Sequence, residues 1–296
     1  MHEHHSHGPD RYNRAFAFGV LLNVLFVLTE AGFGFWVNSL ALLADAGHNL
    51  SDIIGLLLAW GANRLVKIRS SEGRTYGWRS STIMAAMINA LLLLVAVGMI
   101  VMEAVQRLAS PQPAEGGPIM AVAGVGVVIN ALTALLFVSG RKEDLNIRGA
   151  FMHMAADAGV SLGVVLAGFV IWLWGVLWID PVMSLVVAAV IFFGTWGLLR
   201  ESVNMALQAV PKNVDLAEVR AYLSSLPGVV SIHDLHVWAL STTEIALTVH
   251  LIKPDPADDD DIIRQAEIGL KERFKIDHTT IQWEREMCQS DVCSLD

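Results

Sequence analysis

Charge is scarce in this sequence of 296 residues: Asp, Glu, Lys and Arg make up 17%, against 54% hydrophobic residues. Soluble domains are nearer a quarter charged, so the deficit calls for long apolar segments. Cysteine is almost missing. The only two, Cys288 and Cys293, fall in the last nine residues, which excludes a disulfide framework. No Lys or Arg lies inside any long apolar run, and there is no His-Glu-x-x-His pattern of a metallopeptidase helix.

What is present is a series of apolar runs, each close to the roughly 20 residues a helix needs to cross a bilayer. Ala15–Val37 carries one charge, Glu30, and Leu40–Asn63 carries only Asp45, His48 and Asp52. Ser81–Met102, Pro118–Val138 and Val182–Leu199 carry none, and Ala150–Leu177 holds only His153 and Asp157. Six spans are expected. The first run is long and its flank is His-rich rather than basic, so no cleavable signal is expected. Arg and Lys gather before the first span, around the second connection (Arg64, Lys67, Arg69, Arg74, Arg79) and around the fourth (Arg141, Lys142, Arg148). By the positive-inside bias both termini should be cytoplasmic.

Residues 201–296 hold 17 of the 29 acids and 8 of the 20 bases. The first 200 residues therefore balance at 12 and 12, and the net charge of −9 belongs to the C-terminal part. That acidity argues against nucleic acid or anionic lipid as a partner of this segment. Its pattern reads α-β-β-α-β: helical spacing over Asp215–Leu226, strands over Val229–Leu240 and Glu244–Ile252, a helix over Asp258–Phe274, and a strand over Ile276–Trp283. The expected fold is a membrane bundle of six α-helices followed by a small cytoplasmic α/β domain. The expected divisions are a His-rich tail (1–13), the transmembrane domain (14–209), the cytoplasmic domain (210–287) and a Cys-containing tail (288–296).

The second and fifth spans each contain His-x-x-x-Asp, as His48…Asp52 and His153…Asp157. Residues four apart share a helix face, so each pair can offer an imidazole nitrogen and a carboxylate oxygen to one point. Two such helices facing each other supply four N/O ligands, the set a tetrahedral zinc ion takes. The plainer alternative is ion pairs joining helices. A carboxylate in a membrane costs roughly 2.5–3.5 kcal/mol, and repeating the costly pair with no nearby cation favours an external cation as the neutraliser. Asp45, one turn before His48, is a candidate proton relay or partner of the ligands. Glu30 and Asn23 could act similarly. Four further histidines lie in the tail (His2, His4, His5, His7) and four in the soluble domain (His233, His236, His250, His278). With Glu284, Cys288 and Cys293 the latter suggest a second metal site.

These residues resemble the cation diffusion facilitator family, in its zinc-transporter branch. Ser39–Asp52 is similar to the family's second-span signature and Asn146–Asp157 to its fifth. Tyr76-Gly-Trp-Arg79, Asp180-Pro181 and His233-Asp-Leu-His-Val-Trp238 fit as well. The resemblance implies a homodimer with a copper-chaperone-like cytoplasmic domain that dimerises and binds metal. It implies export of Zn2+ in exchange for protons across the inner membrane of a bacterium. It places His48, Asp52, His153 and Asp157 at the transport site. It places His233, His250, His278, Glu284, Cys288 and Cys293 at the cytoplasmic site, with a tail histidine completing it across the dimer. Zn2+ is then both substrate and regulatory ligand, protons are the counter-substrate and lipid is the surroundings. The chain departs from some members in the short, His-free segment Gly140–Ile147 and in Lys67–Trp78, where no metal site is expected. An enzyme is disfavoured because four protein ligands leave no open position. A membrane-anchored zinc sensor would need only the soluble histidines.

Overall fold

The computed structural model describes residues 24–138 and 145–286. The elements are α1 (Val24–Trp36), α2 (Leu40–Val66), α3 (Ser81–Ala109), α4 (Gly116–Phe137), α5 (Leu145–Trp174), α6 (Ile179–Ala206), α7 (Leu216–Ser224), β1 (Ser231–Ala239), β2 (Ile245–Ile252), α8 (Asp259–Phe274) and β3 (His278–Glu284). Among the described residues five helices are long and apolar enough to cross a bilayer, and α1 is a shorter apolar helix. Asn23, the tail histidines, residues 139–144 of the fourth connection, Cys288 and Cys293 lie outside the described residues. The described chain divides into two compact units, one within Met1–Leu57 and Asn89–Trp196, the other within Leu58–Ile88 and Gly197–Asp296.

In the first unit, α1 to α6 pack small and aliphatic side chains inward: Ala41, Leu42, Ala44, Ile119, Ala123, Val164, Val187 and Ala188 are buried. Leu92, Val95, Met99, Leu132, Leu166 and Phe193 are exposed. So much exposed apolar surface suits hydrocarbon rather than water. α2, α3 and α6 run past the apolar stretches that announce them. α3 continues through Glu103, Ala104, Gln106 and Arg107, which are good helix formers and need no hydrocarbon around them.

Two polar clamps hold the entry of α2. Asn38 turns the chain in the left-handed region (φ 53°), a conformation Asn tolerates. Arg107 of α3 fixes it, donating to the Asn38 carbonyl at 2.7 Å and to its Oδ1 at 2.9 Å. The first N–H groups of any helix lack intrahelical partners. Here Leu40 N donates to Asp180 Oδ2 (2.7 Å) and Ala41 N to Asp180 Oδ1 (3.3 Å), while Ser39 Oγ donates to Oδ1 at 2.5 Å. Asp180 sits in the first turn of α6 beside Pro181, as a helix start should, yet it caps a different helix. α4 meets α5 at two glycines. A Cβ on Gly116 would strike the Gly168 carbonyl and the Trp172 backbone, so the two helices approach at van der Waals distance of their main chains.

In the second unit, β1 and β2 are antiparallel and β2 and β3 parallel, giving the sheet order β1-β2-β3. The parallel pair needs a crossover, and α8 supplies it. α7 begins at Asp215, whose carboxylate accepts from Ala217 N and Glu218 N. Val219 and Leu223 of α7 and Ile262, Ala266 and Leu270 of α8 pack on Leu235, Val237, Leu247, Val249 and Leu251 of the sheet. The order α-β-β-α-β is the one the sequence predicts. Lys253, nearly buried, donates to the Asp255 and Ala257 carbonyls and to Asp259 Oδ1 (2.9 Å), and Arg285 pairs with the other Asp259 oxygen. Hydrogen bonds from Arg285 and Lys253 hold the Asp259 carboxyl below its ordinary value.

The connection between α2 and α3, within the same unit, meets this domain. Arg79 Nε lies 2.8 Å from Glu244 Oε2, Thr242 N donates to Thr82 Oγ1 at 3.1 Å, and Ser80 Oγ donates to the Leu240 carbonyl at 3.4 Å.

Candidate metal centres

The two His-x-x-x-Asp helices do face each other, and the contacts across them are tighter than those along them. His153 Nε2 lies 3.2 Å from Asp52 Oδ2, and His48 Nε2 lies 3.3 Å from Asp157 Oδ1. The pairs along each helix are longer, 3.9 Å for His48–Asp52 and 3.6 Å for His153–Asp157. Each imidazole thus reaches both carboxylates. Ligand atoms of His48, Asp52 and Asp157 all fall within 4.8 Å of one another, and the two rings stand edge to face at 6.1 Å. Asp157 is buried, whereas Asp52 and His153 are more open.

Asp52, His153 and Asp157 border a cavity of about 300 Å3 that Asn49, Asn89 and Asn130 also line. Spacing could not single out Asn89 or Asn130, because a lone Asn in a span reads as a helix–helix contact. Their signal is structural: among the described residues, Asn89 Oδ1 and Asn130 Nδ2 are buried without a partner, in the cavity that the carboxylates line. Gly55 makes room for one of them, since a Cβ there would lie 2.8 Å from Asn89 Nδ2. A buried polar group without a partner is costly unless an ion or water meets it.

Asp45 points to another carboxyl. Ser161 Oγ donates to Asp45 Oδ2 at 2.9 Å, and Asn49 Nδ2 donates to Glu30 Oε2 at 3.4 Å. Among the described residues Asp45 Oδ1 and Glu30 Oε1 are buried without a hydrogen-bond partner. Both residues are fully buried.

A second cluster forms on the sheet face opposite α7 and α8. His233 and His250 are directly paired across β1 and β2, and Glu284 ends β3 beside them. His233 Nε2 lies 2.9 Å from Glu284 Oε2, and His250 Nδ1 lies 2.9 Å from Glu284 Oε1. All three offer ligand atoms within 4.8 Å of one another. Burial raises the Glu284 carboxyl, but the His233 hydrogen bond and the charges of His233 and His250 outweigh it and hold the group below its ordinary value. Two imidazoles and a carboxylate are a fitting donor set for zinc. His278 is not brought to this cluster. It shares the sheet face but opens β3, six residues from Glu284, and at about 3.3 Å per residue that is roughly 20 Å. Its exposed ring instead packs edge-on against Tyr76 at 5.6 Å.

Residues 17–205 match the cation efflux transmembrane domain, and residues 211–286 match the cytoplasmic domain of cation efflux proteins. The chain belongs to the cation efflux family. It is 37% identical to the zinc transporter ZitB of Shigella flexneri, covering 98% of this chain and 93% of the relative. It is 34% identical to the metal cation efflux system protein CzcD of Cupriavidus metallidurans (96% and 91% covered). It is 32% identical to the cadmium, cobalt and zinc/H(+)-K(+) antiporter of Bacillus subtilis (98% and 95%). The solved metal-bound C-terminal domain of the CzcD transporter is 41% identical over 24% of this chain and 99% of that one, with a TM-score of 0.23. This cation efflux chain is thus an integral membrane transporter and not an enzyme.

Proposed function

We propose that this cation efflux protein exports a divalent transition metal, Zn2+ foremost, from the cytoplasm in exchange for protons. The observation that carries the reading is the convergence of His48, Asp52, His153 and Asp157, with each imidazole reaching both carboxylates. Ligand atoms must be deprotonated to hold a metal, so metal and protons compete for the same four groups. That competition is sufficient for antiport if the site opens to one side of the membrane at a time. Two imidazoles and two carboxylates suit Zn2+ or Co2+ better than softer ions that seek thiolate.

Glu30 and Asp45 form the inner end of the proton route in this reading. Two carboxylate oxygens are both acceptors, so a contact between these two groups would hold only with a proton between them. Asp45 also stands one turn from His48 on α2, and Ser161 stands one turn from Asp157 on α5, which joins this pair to both metal helices.

His233, His250 and Glu284 would hold a resident Zn2+ in the cytoplasmic domain, with Cys288, Cys293 and a tail histidine as further ligands. The protein works as a homodimer in a bacterial inner membrane, with both termini cytoplasmic and the divisions 1–13, 14–209, 210–287 and 288–296.

The test is zinc flux into sealed vesicles carrying a zinc-sensitive dye under an imposed pH gradient. Flux driven by the gradient and lost in Asp157→Ala supports the four-ligand antiporter. Tight zinc binding without flux in the intact protein would replace it with the sensor reading.

A further inference from the structure

β1 is irregular at one place, and that place sits in the His-Asp-Leu-His segment. His233 pairs with His250 and His236 pairs with Thr248, so two residues of β1 stand opposite the single residue Val249. This is a β-bulge. Residues 248 and 250 share a face of β2, so the bulge brings His233 and His236 to one face, although strict alternation would separate them. Asp234 absorbs the extra residue in the left-handed region, at φ 53°. Asn would satisfy that backbone equally well. What the carboxylate adds is two acceptors with separate partners: Oδ1 lies 2.8 Å from His236 Nε2, and Oδ2 lies 3.5 Å from His250 Nε2.

The ring of His250 therefore stands between two carboxylates, with Nδ1 toward Glu284 and Nε2 toward Asp234. A neutral imidazole carries one N–H. We propose that Asp234 is a positioning residue for the cytoplasmic metal cluster, orienting His250 so that Nδ1 meets the metal while Nε2–H faces the Asp234 carboxylate. Partners of this kind fix the tautomer and raise the basicity of a ligating histidine, and losing one typically costs 10–100-fold in metal affinity. His236 anchors the second oxygen and does not ligate. The inference rests on the reading of His233, His250 and Glu284 as a metal site.

The test uses the full chain with Asp52→Ala and Asp157→Ala, which removes the membrane site. Zinc affinity is measured by competition with a chromogenic chelator. Ring tautomers are read from 15N spectra of histidine-labelled protein in liposomes, with His250→Gln assigning the signal. Asp234→Asn keeps the left-handed turn and should raise the zinc dissociation constant 10–100-fold at unchanged stoichiometry. Before that substitution, the His250 signal should show zinc at Nδ1 and a proton at Nε2. Affinity within twofold of the parent, or zinc at Nε2, overturns the role. Loss of one whole zinc equivalent in both Asp234→Asn and His236→Gln also overturns it, making the two residues direct ligands. A parent that binds no zinc through His233 and Glu284 overturns the underlying metal-site reading instead.

Discussion

Replacing Asp180 by Ala should disable the candidate membrane metal site from a distance. Asp180 takes three hydrogen bonds, from Ser39 Oγ and from the amides of Leu40 and Ala41, and it is nearly fully buried. It also places a negative charge at the N-terminus of α2, where the helix dipole favours one. Hydrogen bonds to a charged group contribute about 1.5–3 kcal/mol each, and they do not add fully. Removing the acceptor leaves buried neutral donors unsatisfied, at about 1–3 kcal/mol per group, and a loss of several kcal/mol is expected here. Because His48 and Asp52 ride on the same helix, an unanchored α2 entry changes their depth relative to His153 and Asp157. Thermal melting of detergent-purified protein should show a lowered midpoint, and vesicle flux should fall at least tenfold. Zinc binding at His233, His250 and Glu284 should be unchanged. Asp180→Ala with parental melting and parental flux would refute the clamp. Parental flux with lowered melting would confine Asp180 to stability.

Gly116→Ala should destabilise the α4–α5 contact by about 1–3 kcal/mol, the usual cost of overpacking, because its Cβ meets backbone that cannot yield. Gly117→Ala meets nothing within 4 Å and is the control, expected to be neutral or slightly stabilising in the same melts. The Lys253–Asp259–Arg285 clasp should make the cytoplasmic domain acid-sensitive. Asp259 is held below its ordinary value when folded, so its contribution is fully present above about pH 4 and is lost as pH falls through the depressed value. Proteolysis of residues 210–286 across pH 5 to 3 should accelerate in the parent, and Asp259→Asn should flatten that dependence.

The spacing of four in two spans made the proximity of each His to its Asp legible, because the α-helix converts that spacing into a shared face. The crossing of partners was not legible: His48 favours Asp157 and His153 favours Asp52, which depends on how α2 and α5 face each other. Asp180 shows the same limit at longer range. Asp-Pro is a local signal for a helix start, and α6 does start there, but the carboxylate serves the N-terminus of α2, about 140 residues away. The soluble domain's helices and strands followed from periodicity, whereas the placement of its histidines did not. Alternation alone would split His233 from His236, and only the bulge at Asp234 rejoins them. His278 has the right side chain on the right face, yet it lies at the far end of β3 and meets Tyr76.

Residue type and period, then, reach as far as one element. Convergence between elements is decided by features with little signature of their own: a left-handed Asp, a pair of facing glycines, and a cap contributed by another helix. In this chain each of those features lies beside an element that carries candidate metal ligands. Asp180 anchors α2, Gly168 sets the approach of α4 to α5, and Asp234 turns β1. A substitution at any of them leaves every candidate ligand in place and bears only on the geometry that brings those ligands together.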